Sequence, residues 1–440
     1  MLDVYERNAA RFGNDPAAPQ CVYSARDVTR WCRAIRAALD EADVTSMEAL
    51  VGEPISVVSA AKNKPSKVRL SLDGALARLW AHEGLRLFGD RLSRQKDQEW
   101  CLATIVDVAR DRFPRDALGL DDAALRGPLL YSRWLSRTYA PARLGDLKTF
   151  VSSRLRAFYE EELDAPLVVF DDVVEHVLRI DAVLRAESGH LLLVGDSGVG
   201  KSILTKFVAW NNGLAVHEVQ TTRTYTLSKF DEDLRRLMAR AGVDQERLCL
   251  VLDEADAVSS AFLERMNALL ASGEVPGLWS AEDLAKLLSR CREVMSTDAE
   301  DNDDDAVVLD WFTRRVRRNL HVVFTLNPGK GGLGAARATA SPALFNRCVV
   351  DWFGTWSPRA LAQVADALVD GADFDAMAAD EWDHRLQVAE PAAKAKVKAF
   401  LDEAAPPLLL PRHHDHDDQD DDDSDRDDDD SDRDDDDSDR

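Results

Sequence analysis

A glycine-rich segment, G-D-S-G-V-G-K-S from Gly195 to Ser202, constrains this chain more than any other feature. It follows the apolar run HLLLV and precedes ILTKFVAW, whose apolar residues recur at helical spacing. The pattern G-x-x-x-x-G-K-[ST] between a strand and a helix is typical of a phosphate-binding loop. The alternative is a glycine-rich turn that contains Lys and Ser by chance, and the flanking strand and helix argue against it.

Each residue type in the segment suits phosphate binding. Glycines let the backbone turn so that several N–H groups face one anion, and the following helix adds its positive amino end. Lys201 is predicted to reach the β- and γ-phosphates of ATP, and the Ser202 hydroxyl to bind Mg²⁺. The predicted nucleotide-binding residues are Gly195, Asp196, Ser197, Gly198, Val199, Gly200, Lys201 and Ser202.

Two carboxylates end the apolar run LCLVLDE, which begins 47 residues after Lys201. The carboxyl end of a parallel strand lies at the ligand-binding edge of such a sheet. Asp253 is therefore predicted to contact Mg²⁺, and Glu254 to polarise the attacking water. Acidic residues often end strands, so this motif carries weight only together with the phosphate-binding loop.

Two further residues are candidates on weaker grounds. Asn327 follows the run HVVFTL, where an amide could orient the lytic water, although an Asn that forms a turn before Pro328 is the simpler interpretation. Arg347, in SPALFNRC, is placed as an arginine finger would be, to stabilise charge in a neighbouring subunit's site. A surface or salt-bridged arginine is the alternative there, and from the spacing alone it is favoured.

Beyond about Pro166, five apolar runs alternate with helical segments. Continuous apolar runs indicate strands buried on both faces, and their alternation with helices predicts an α/β fold with a parallel, doubly wound sheet. The runs are HLLLVG, LAVHEV, RLCLVLDE, LHVVFTLN and RCVVDWF. Residues 1–150 have helical periodicity instead and are predicted to form an all-helical small domain, with helices starting near Ser24 and covering Leu72–Leu92 and Leu147–Glu162.

The predicted domain order follows from these patterns. The helical small domain, 1–150, precedes a nucleotide-binding large domain, 151–358, and a divergent, partly helical segment, 359–411. Residues 412–440 are predicted to be a disordered Asp-rich tail, because three copies of DDDDSDR repel one another and offer no apolar positions. Metal binding by His413, His414 and His416 is the less favoured interpretation of the residues that precede the repeats. The simplest role of four N-terminal tryptophans is in the core: Trp31, Trp80, Trp100 and Trp134.

Composition narrows the classes of protein. Of the net charge of −25, the tail from His413 onward contributes −15 through 18 Asp and 3 Arg, which leaves a mildly acidic body. Such a body argues against a nucleic-acid groove, and no apolar run approaches the ~20 residues of a membrane span. Six cysteines without a C-x-x-C pair favour reduced thiols in a cytosolic protein.

Together the motifs resemble the fourth AAA+ module of the dynein heavy chain, in its cytoplasmic rather than axonemal form. The resemblance rests on HLLLVGDSGVGKSILTKFVAWNNGL, FDEDLRRLMARAG, FLERMNALLASGEVPGL, NLHVVFTLNP and SPALFNRCVVDWFGTWS. Upstream, VYSARDVTRWCRAI and RLRAFYEEELDAPLVVFDDVVEHVLRID look like the small domain of the third module and the link into the fourth. The likeness covers roughly residues 20–360.

The resemblance implies roles for single residues. The Walker A loop would be Gly195–Ser202, the Walker B pair Asp253 and Glu254, and sensor I Asn327. Arg347 would be the finger, and Arg26 the sensor-II arginine, of the preceding module's nucleotide. The finger for this module's own nucleotide would come from a fifth module.

The resemblance also implies partners and a location. The other AAA+ modules of a dynein ring would be direct partners, whereas intermediate chains, light chains and microtubules would be reached only through regions absent from this sequence. The protein would be cytoplasmic and associated with the cytoskeleton, either as a piece of a longer chain or as a diverged product. The loop departs from the family at Asp196, Val199 and Ser202, and the charge of Asp196 is expected to weaken phosphate binding.

Three functions remain open from the sequence. The favoured one is an ATP-binding dynein-type AAA+ module with a regulatory nucleotide site, whose ATPase activity depends on a neighbouring module. The second is a nucleotide-binding structural module that does not turn ATP over. The third is a standalone AAA+ ring of identical subunits, in which Arg347 acts in trans.

Overall fold

A computed structural model describes residues 1–13, 20–45, 51, 54–58, 65–136, 138–162, 169–219, 225–253, 260–297, 304–328, 342–354 and 360–365. All of these belong to one unit, Met1–Val369. Glu254, the histidines before the tail and the Asp-rich tail itself lie outside the described residues. Of the predicted segment 359–411, residues 360–365 are described, and they are helical.

The amino-terminal part is mainly helical, as the sequence predicts. Ser71 begins one helix by accepting a hydrogen bond from Gly74 N, and the Ser24 N–H donates to the Asp27 carboxylate at the start of another. The helices are α1 (Leu2–Phe12), α2 (Ala25–Thr45), α3 (Leu72–Phe88), α4 (Gln95–Arg112) and α5 (Arg115–Leu118), followed by a 3₁₀ helix at Leu120–Leu125.

Two tryptophans organise the core of this part, as predicted. Trp31 and Trp80 are buried, their ring centroids lie 4.9 Å apart, and Trp31 Nε1 donates to the Trp80 carbonyl. A Cβ on Gly84 would come within 2.4 Å of the Trp31 ring, so a glycine is needed at that position. Trp100 and Trp134 are partly buried against the clusters around them.

Two short antiparallel strand pairs interrupt the helices, and they were not predicted from the sequence. Strand β1 (Ile55–Val58) pairs with β2 (Pro65–Val68), and β3 (Tyr131–Ser132) pairs with β4 (Ala140–Pro141). The small region is therefore helical with two added strand pairs. These strands are two to four residues long, too short for a period-two pattern to stand out.

All five predicted strands are confirmed, and they form one parallel sheet. They are β5 (Leu191–Gly195), β6 (Ala215–Glu218), β7 (Leu248–Asp253), β8 (Leu320–Leu326) and β9 (Val349–Gly354). The order across the sheet is β6-β7-β8-β5-β9. Strand β5 thus lies where the order reverses, which is the position at which sheets of this class bind ligands.

Alternate residues of the strands pack on opposite faces of the sheet, so it is covered on both sides. Leu192, Leu250 and Phe324 lie in one buried cluster, whereas Leu193, Val251 and Val323 lie in another. The helices of this part are α6 (Leu144–Glu162), α7 (Asp171–Arg185), α8 (Lys201–Asn211), α9 (Leu227–Gly242), α10 (Ser260–Ser272), α11 (Ala281–Thr297), α12 (Asp305–Asn319) and α13 (Pro342–Arg347).

Helix α6 runs through residue 150, where the sequence analysis places a domain boundary. Val151, Leu155 and Phe158 of this helix pack in the cluster on one face of the sheet, and Leu147 contacts a smaller cluster with α7. Helix α6 therefore continues across the predicted boundary into the core beside the sheet. Among the helices that the structure describes, none combines the length and apolar character of a membrane span.

Candidate functional site

The phosphate-binding loop has the backbone conformation that its glycines allow. It leaves β5 at Gly195 and enters α8 at Lys201. Gly198 and Gly200 have φ values of +86° and +96°, in the left-handed region that favours glycine. Gly200 is the residue that caps the amino end of α8, so this positive φ sets the angle between the loop and the helix.

Gly195 is required for a different reason, the close approach of β9. A Cβ at this position would lie 2.7 Å from Phe353 Cβ, closer than two carbon atoms pack. The Asp196 N–H points to the Gly354 carbonyl at 3.4 Å. The first turn of the loop is therefore packed against the carboxyl end of β9.

Lys201 begins α8 and is half-buried. Its Nζ donates to the carbonyls of Gly195 and Asp196, each at 2.7 Å, so the ammonium lies at the loop itself. Ser202 follows it in the first helical turn. The loop, the ammonium and the positive helix end together form an arrangement suited to phosphate oxygens.

The sheet brings Asp253 and Asn327 to the same edge as the loop. Asp253 ends β7 opposite Thr325 of β8, and Thr325 in turn lies opposite Leu193, two residues before the loop begins. Asn327 directly follows β8 and is half-buried, whereas Asp253 is exposed. Glu254, predicted to be the next carboxylate, lies outside the described residues.

Arg347 lies at the opposite edge of the sheet. It ends α13 just before β9, whose residues Val349 and Gly354 are paired with Leu191 and Gly195. At about 3.3 Å per residue, roughly 16 Å of strand separates it from the loop. Arg347 is therefore not positioned to act on a nucleotide bound at this chain's own loop.

Arg26 and Arg347 are neighbours, although they come from different parts of the chain. Burial lowers the pKa of Arg347, and the nearby charges of Arg26 and Arg317 lower it further. Arg30, one turn after Arg26 on α2, donates to the carbonyls of Asn346 and Arg347 and so holds α2 against the end of α13. The structure thus brings together the two arginines that the resemblance assigns to one site, on the face away from the loop.

A buried polar group in β9, the strand next to the loop, was not predicted from the sequence. Asp351, in the middle of β9, lies 2.8 Å from His176 Nδ1 and 2.9 Å from Arg179 Nη1. Burial by itself would raise the pKa of Asp351, but His176 and Arg179 outweigh it and hold that pKa below its usual value. A carboxylate within the apolar run VVDWF was the available signal, because a buried charge needs partners.

Comparison with known proteins agrees with this geometry. A family model described as the P-loop containing dynein motor region D4 matches residues 165–404. A second model, the dynein heavy chain ATPase lid domain, matches residues 1–55. The likeness therefore extends beyond residues 20–360, the range expected from the sequence segments.

Curated relatives give the same result. The chain is 44% identical over 375 residues to "Dynein heavy chain, cytoplasmic" of Dictyostelium discoideum, which is 85% of this chain and 7% of the relative. Identity to the cytoplasmic dynein heavy chain of Caenorhabditis elegans is also 44% over 375 residues, and to that of Drosophila melanogaster 43% over 376 residues. The chain spans less than a tenth of the length of these relatives. It belongs to the dynein heavy chain family and contains a P-loop AAA+ module of that family.

Proposed function

We propose that this chain binds Mg²⁺-ATP at Gly195–Ser202. The observation that carries the proposal is the joint position of the loop, Lys201, Asp253 and Asn327 at the carboxyl edge of one parallel sheet, beside the point where the strand order reverses. Backbone N–H groups and Lys201 would bind the phosphates. Ser202 and Asp253 supply the oxygen atoms that Mg²⁺ prefers as ligands.

Hydrolysis would need further groups. When bound, Mg²⁺ would neutralise charge that develops on the phosphate oxygens. Glu254 would polarise the attacking water and Asn327 would orient it. The arginine that completes the site would come from a neighbouring module, since Arg347 lies about 16 Å along β9 from the loop.

Arg347 and Arg26 are proposed to serve the nucleotide of the preceding module. Two adjacent arginines on the face away from the loop form a surface suited to the phosphates of a bound neighbour. The family model matched by residues 1–55 describes an ATPase lid, which supports Arg26 as a residue of that module's lid.

The motor role of the complete protein is part of the proposal. We infer a regulatory nucleotide site within a dynein ring, with other AAA+ modules as direct partners. Contacts with intermediate chains, light chains and microtubules would involve regions that the relatives have and this sequence does not contain. We propose a cytoplasmic location associated with the cytoskeleton, which the same relatives support.

Nucleotide binding is tested by isothermal titration of the chain with Mg²⁺-ATP. Lys201→Ala is expected to abolish binding, because the loop loses the ammonium group that lies at it and would bind the phosphates. Lys206→Ala is the matched control, since Lys206 lies on the same helix but pairs with Glu218, 2.8 Å away. Equal affinities of the K201A and K206A variants would refute the proposal.

The rate of ATP hydrolysis distinguishes the three functions that the sequence leaves open. A dynein-type module would hydrolyse ATP slowly alone, with a rate that Glu254→Gln abolishes while binding persists. Negligible turnover that is insensitive to E254Q would favour a structural nucleotide-binding module instead. Activity that rises with protein concentration and disappears on Arg347→Ala would favour a ring of identical subunits.

A further inference from the structure

Strand β9 is irregular at the point where it meets the phosphate-binding loop. Val194 is paired with Trp352 but Gly195 is paired with Gly354, so Phe353 is an extra residue in β9. Bulges of this kind occur next to active sites, where they redirect a side chain or end a pairing. Here the bulged residue is the one whose Cβ would clash with any side chain at Gly195.

His176 of helix α7 holds this bulge from the other side. Its ring stacks on the Phe353 ring, with centroids 3.8 Å apart and planes inclined by 10°. The same ring is fixed by Asp351, whose Oδ2 lies 2.8 Å from His176 Nδ1. Phe353 is thus held between Gly195 and an imidazole that a buried carboxylate orients.

The carboxylate that orients His176 is also tied to the amino-terminal helices. Arg179, one turn after His176, donates to Asp351 and forms an ion pair with Asp90 at 3.2 Å. The Asp90 carbonyl accepts a hydrogen bond of 2.9 Å from Trp352 N. Trp352 lies in β9 directly before the bulged residue Phe353. Contacts therefore continue from the turn after α3 to the first residue of the loop.

We propose that His176 is a positioning residue for the phosphate-binding loop, acting through Phe353, and that the Asp90–Arg179–Asp351 bridge makes nucleotide affinity depend on docking of the amino-terminal helices. The proposal rests on the proposed function, because it concerns the affinity of that same site. By linkage, bound nucleotide strengthens the docking of Asp90 as much as docking strengthens nucleotide binding.

Two substitutions at position 176 distinguish a role in positioning the phosphate-binding loop from a general contribution to the stability of the fold. His176→Asn retains an N–H near Asp351 but removes the ring that supports Phe353. His176→Phe retains a stacked ring but leaves one oxygen of Asp351 without its partner. Titration with Mg²⁺-ATP is expected to show about tenfold weaker binding by H176N and nearly unchanged binding by H176F, even though H176F lowers the melting temperature.

The bridge is tested in the same titration. Arg179→Leu is expected to weaken Mg²⁺-ATP binding about fivefold, because β9 loses its tie to Asp90. Arg133→Leu is the matched control: it removes a partly buried pair, 2.8 Å apart, with Glu41, which lies on helix α2 rather than on β9. A similar change in affinity in R179L and R133L would overturn this part of the proposal.

The outcomes are distinguishable. If the unsubstituted chain does not bind Mg²⁺-ATP, the proposed function fails and this inference fails with it. If that chain binds and H176N binds equally tightly, the positioning role alone is overturned. Should H176N not fold, Phe353→Leu carries the same test, since it leaves every charged group in place and replaces only the stacked ring by an aliphatic side chain.

Discussion

Arg179 donates to Asp351 at 2.9 Å, and this contact joins helix α7 to the edge strand β9. Asp351 is almost fully buried, and the Arg179 side chain is 16% exposed. Since Asp90 lies on the other side of the guanidinium, one arginine compensates two buried carboxylates. Burial raises the pKa of Asp90 to about 6 even though Arg179 and Arg86 oppose the change.

Loss of Arg179 should therefore destabilise the chain strongly. Arg179→Leu leaves two carboxylates buried with fewer partners, and we expect the free energy of unfolding to fall by about 3 kcal/mol. Urea denaturation followed by circular dichroism measures the change. Arg143→Leu removes an exposed pair with Asp146 and should cost under about 1 kcal/mol. A comparable loss of unfolding free energy in R179L and R143L would contradict the role of Arg179 as the partner of two buried carboxylates.

A cluster of buried polar side chains around Glu83 predicts how the stability of the chain depends on pH. His82 Nδ1 lies 2.6 Å from the Leu129 carbonyl, which only accepts, so this nitrogen carries the proton. Burial lowers the pKa of His82, and its Nε2 lies 3.0 Å from the Tyr139 hydroxyl. That hydroxyl donates to Glu83 Oε1 at 2.9 Å, so His82, Tyr139 and Glu83 form one buried polar network.

Glu83→Gln is expected to flatten the pH dependence of stability. Burial raises the pKa of Glu83 from 4.5 to about 6, against the effect of Tyr139, so the folded chain binds this proton more tightly than the unfolded chain. The stability from this group is complete below about pH 4.5 and is lost as the pH rises through 6, roughly 2 kcal/mol in all. Urea denaturation from pH 4.5 to 7.5 should show a loss of unfolding free energy in both proteins, smaller by the contribution of Glu83 in E83Q, because Asp90, whose pKa is also raised to about 6, titrates in the same range. The exposed Glu187→Gln is the control, and it should retain the full slope.

Removal of the charge at position 196 should strengthen nucleotide binding. Asp196 lies in the loop next to the predicted phosphate position, where a carboxylate repels the ligand. Asp196→Ala is expected to tighten Mg²⁺-ATP binding by about threefold at low salt and by less at high salt. Asp172→Ala, an exposed position on α7, should leave the affinity unchanged. Titration with Mg²⁺-ATP at two ionic strengths measures the change in affinity. Weaker binding by D196A would contradict the prediction and show that this carboxylate stabilises the loop.

Gly195→Ala tests the contact between the loop and β9. The added methyl group would lie 2.7 Å from Phe353 Cβ, so β9 or the loop has to move. We expect a loss of about 1–3 kcal/mol in unfolding free energy and weaker Mg²⁺-ATP binding. Gly145→Ala is the control, because it lies in helix α6 with open space at its Cβ and should keep or slightly raise stability. Unchanged affinity in G195A would show that the loop tolerates displacement of β9.

Much of this architecture was predictable because the signals are local. The central strands β5, β7 and β8 are nearly continuous apolar runs, and the edge strands β6 and β9 continue the same alternation of strands with helices. All five were therefore predictable from the sequence, as was the helix start at Ser24. The strand pairs β1–β2 and β3–β4 were not predicted, because strands of two to four residues are too short to show a period-two pattern of apolar residues. The helix predicted over Leu147–Glu162 is confirmed as α6, and its apolar residues contact a core built from distant segments.

The amino-acid sequence by itself determined the phosphate-binding loop, since the glycines and Lys201 act through backbone conformation and charge within eight consecutive residues. It also predicted the family, which the comparisons confirm. Tertiary structure alone decided that Arg347 lies at the far edge of the sheet from that loop, that Phe353 lies beside Gly195, and that His176 stacks on Phe353. Those relationships depend on strand order and register, which arise from contacts between residues more than 100 positions apart and leave no local pattern in the chain.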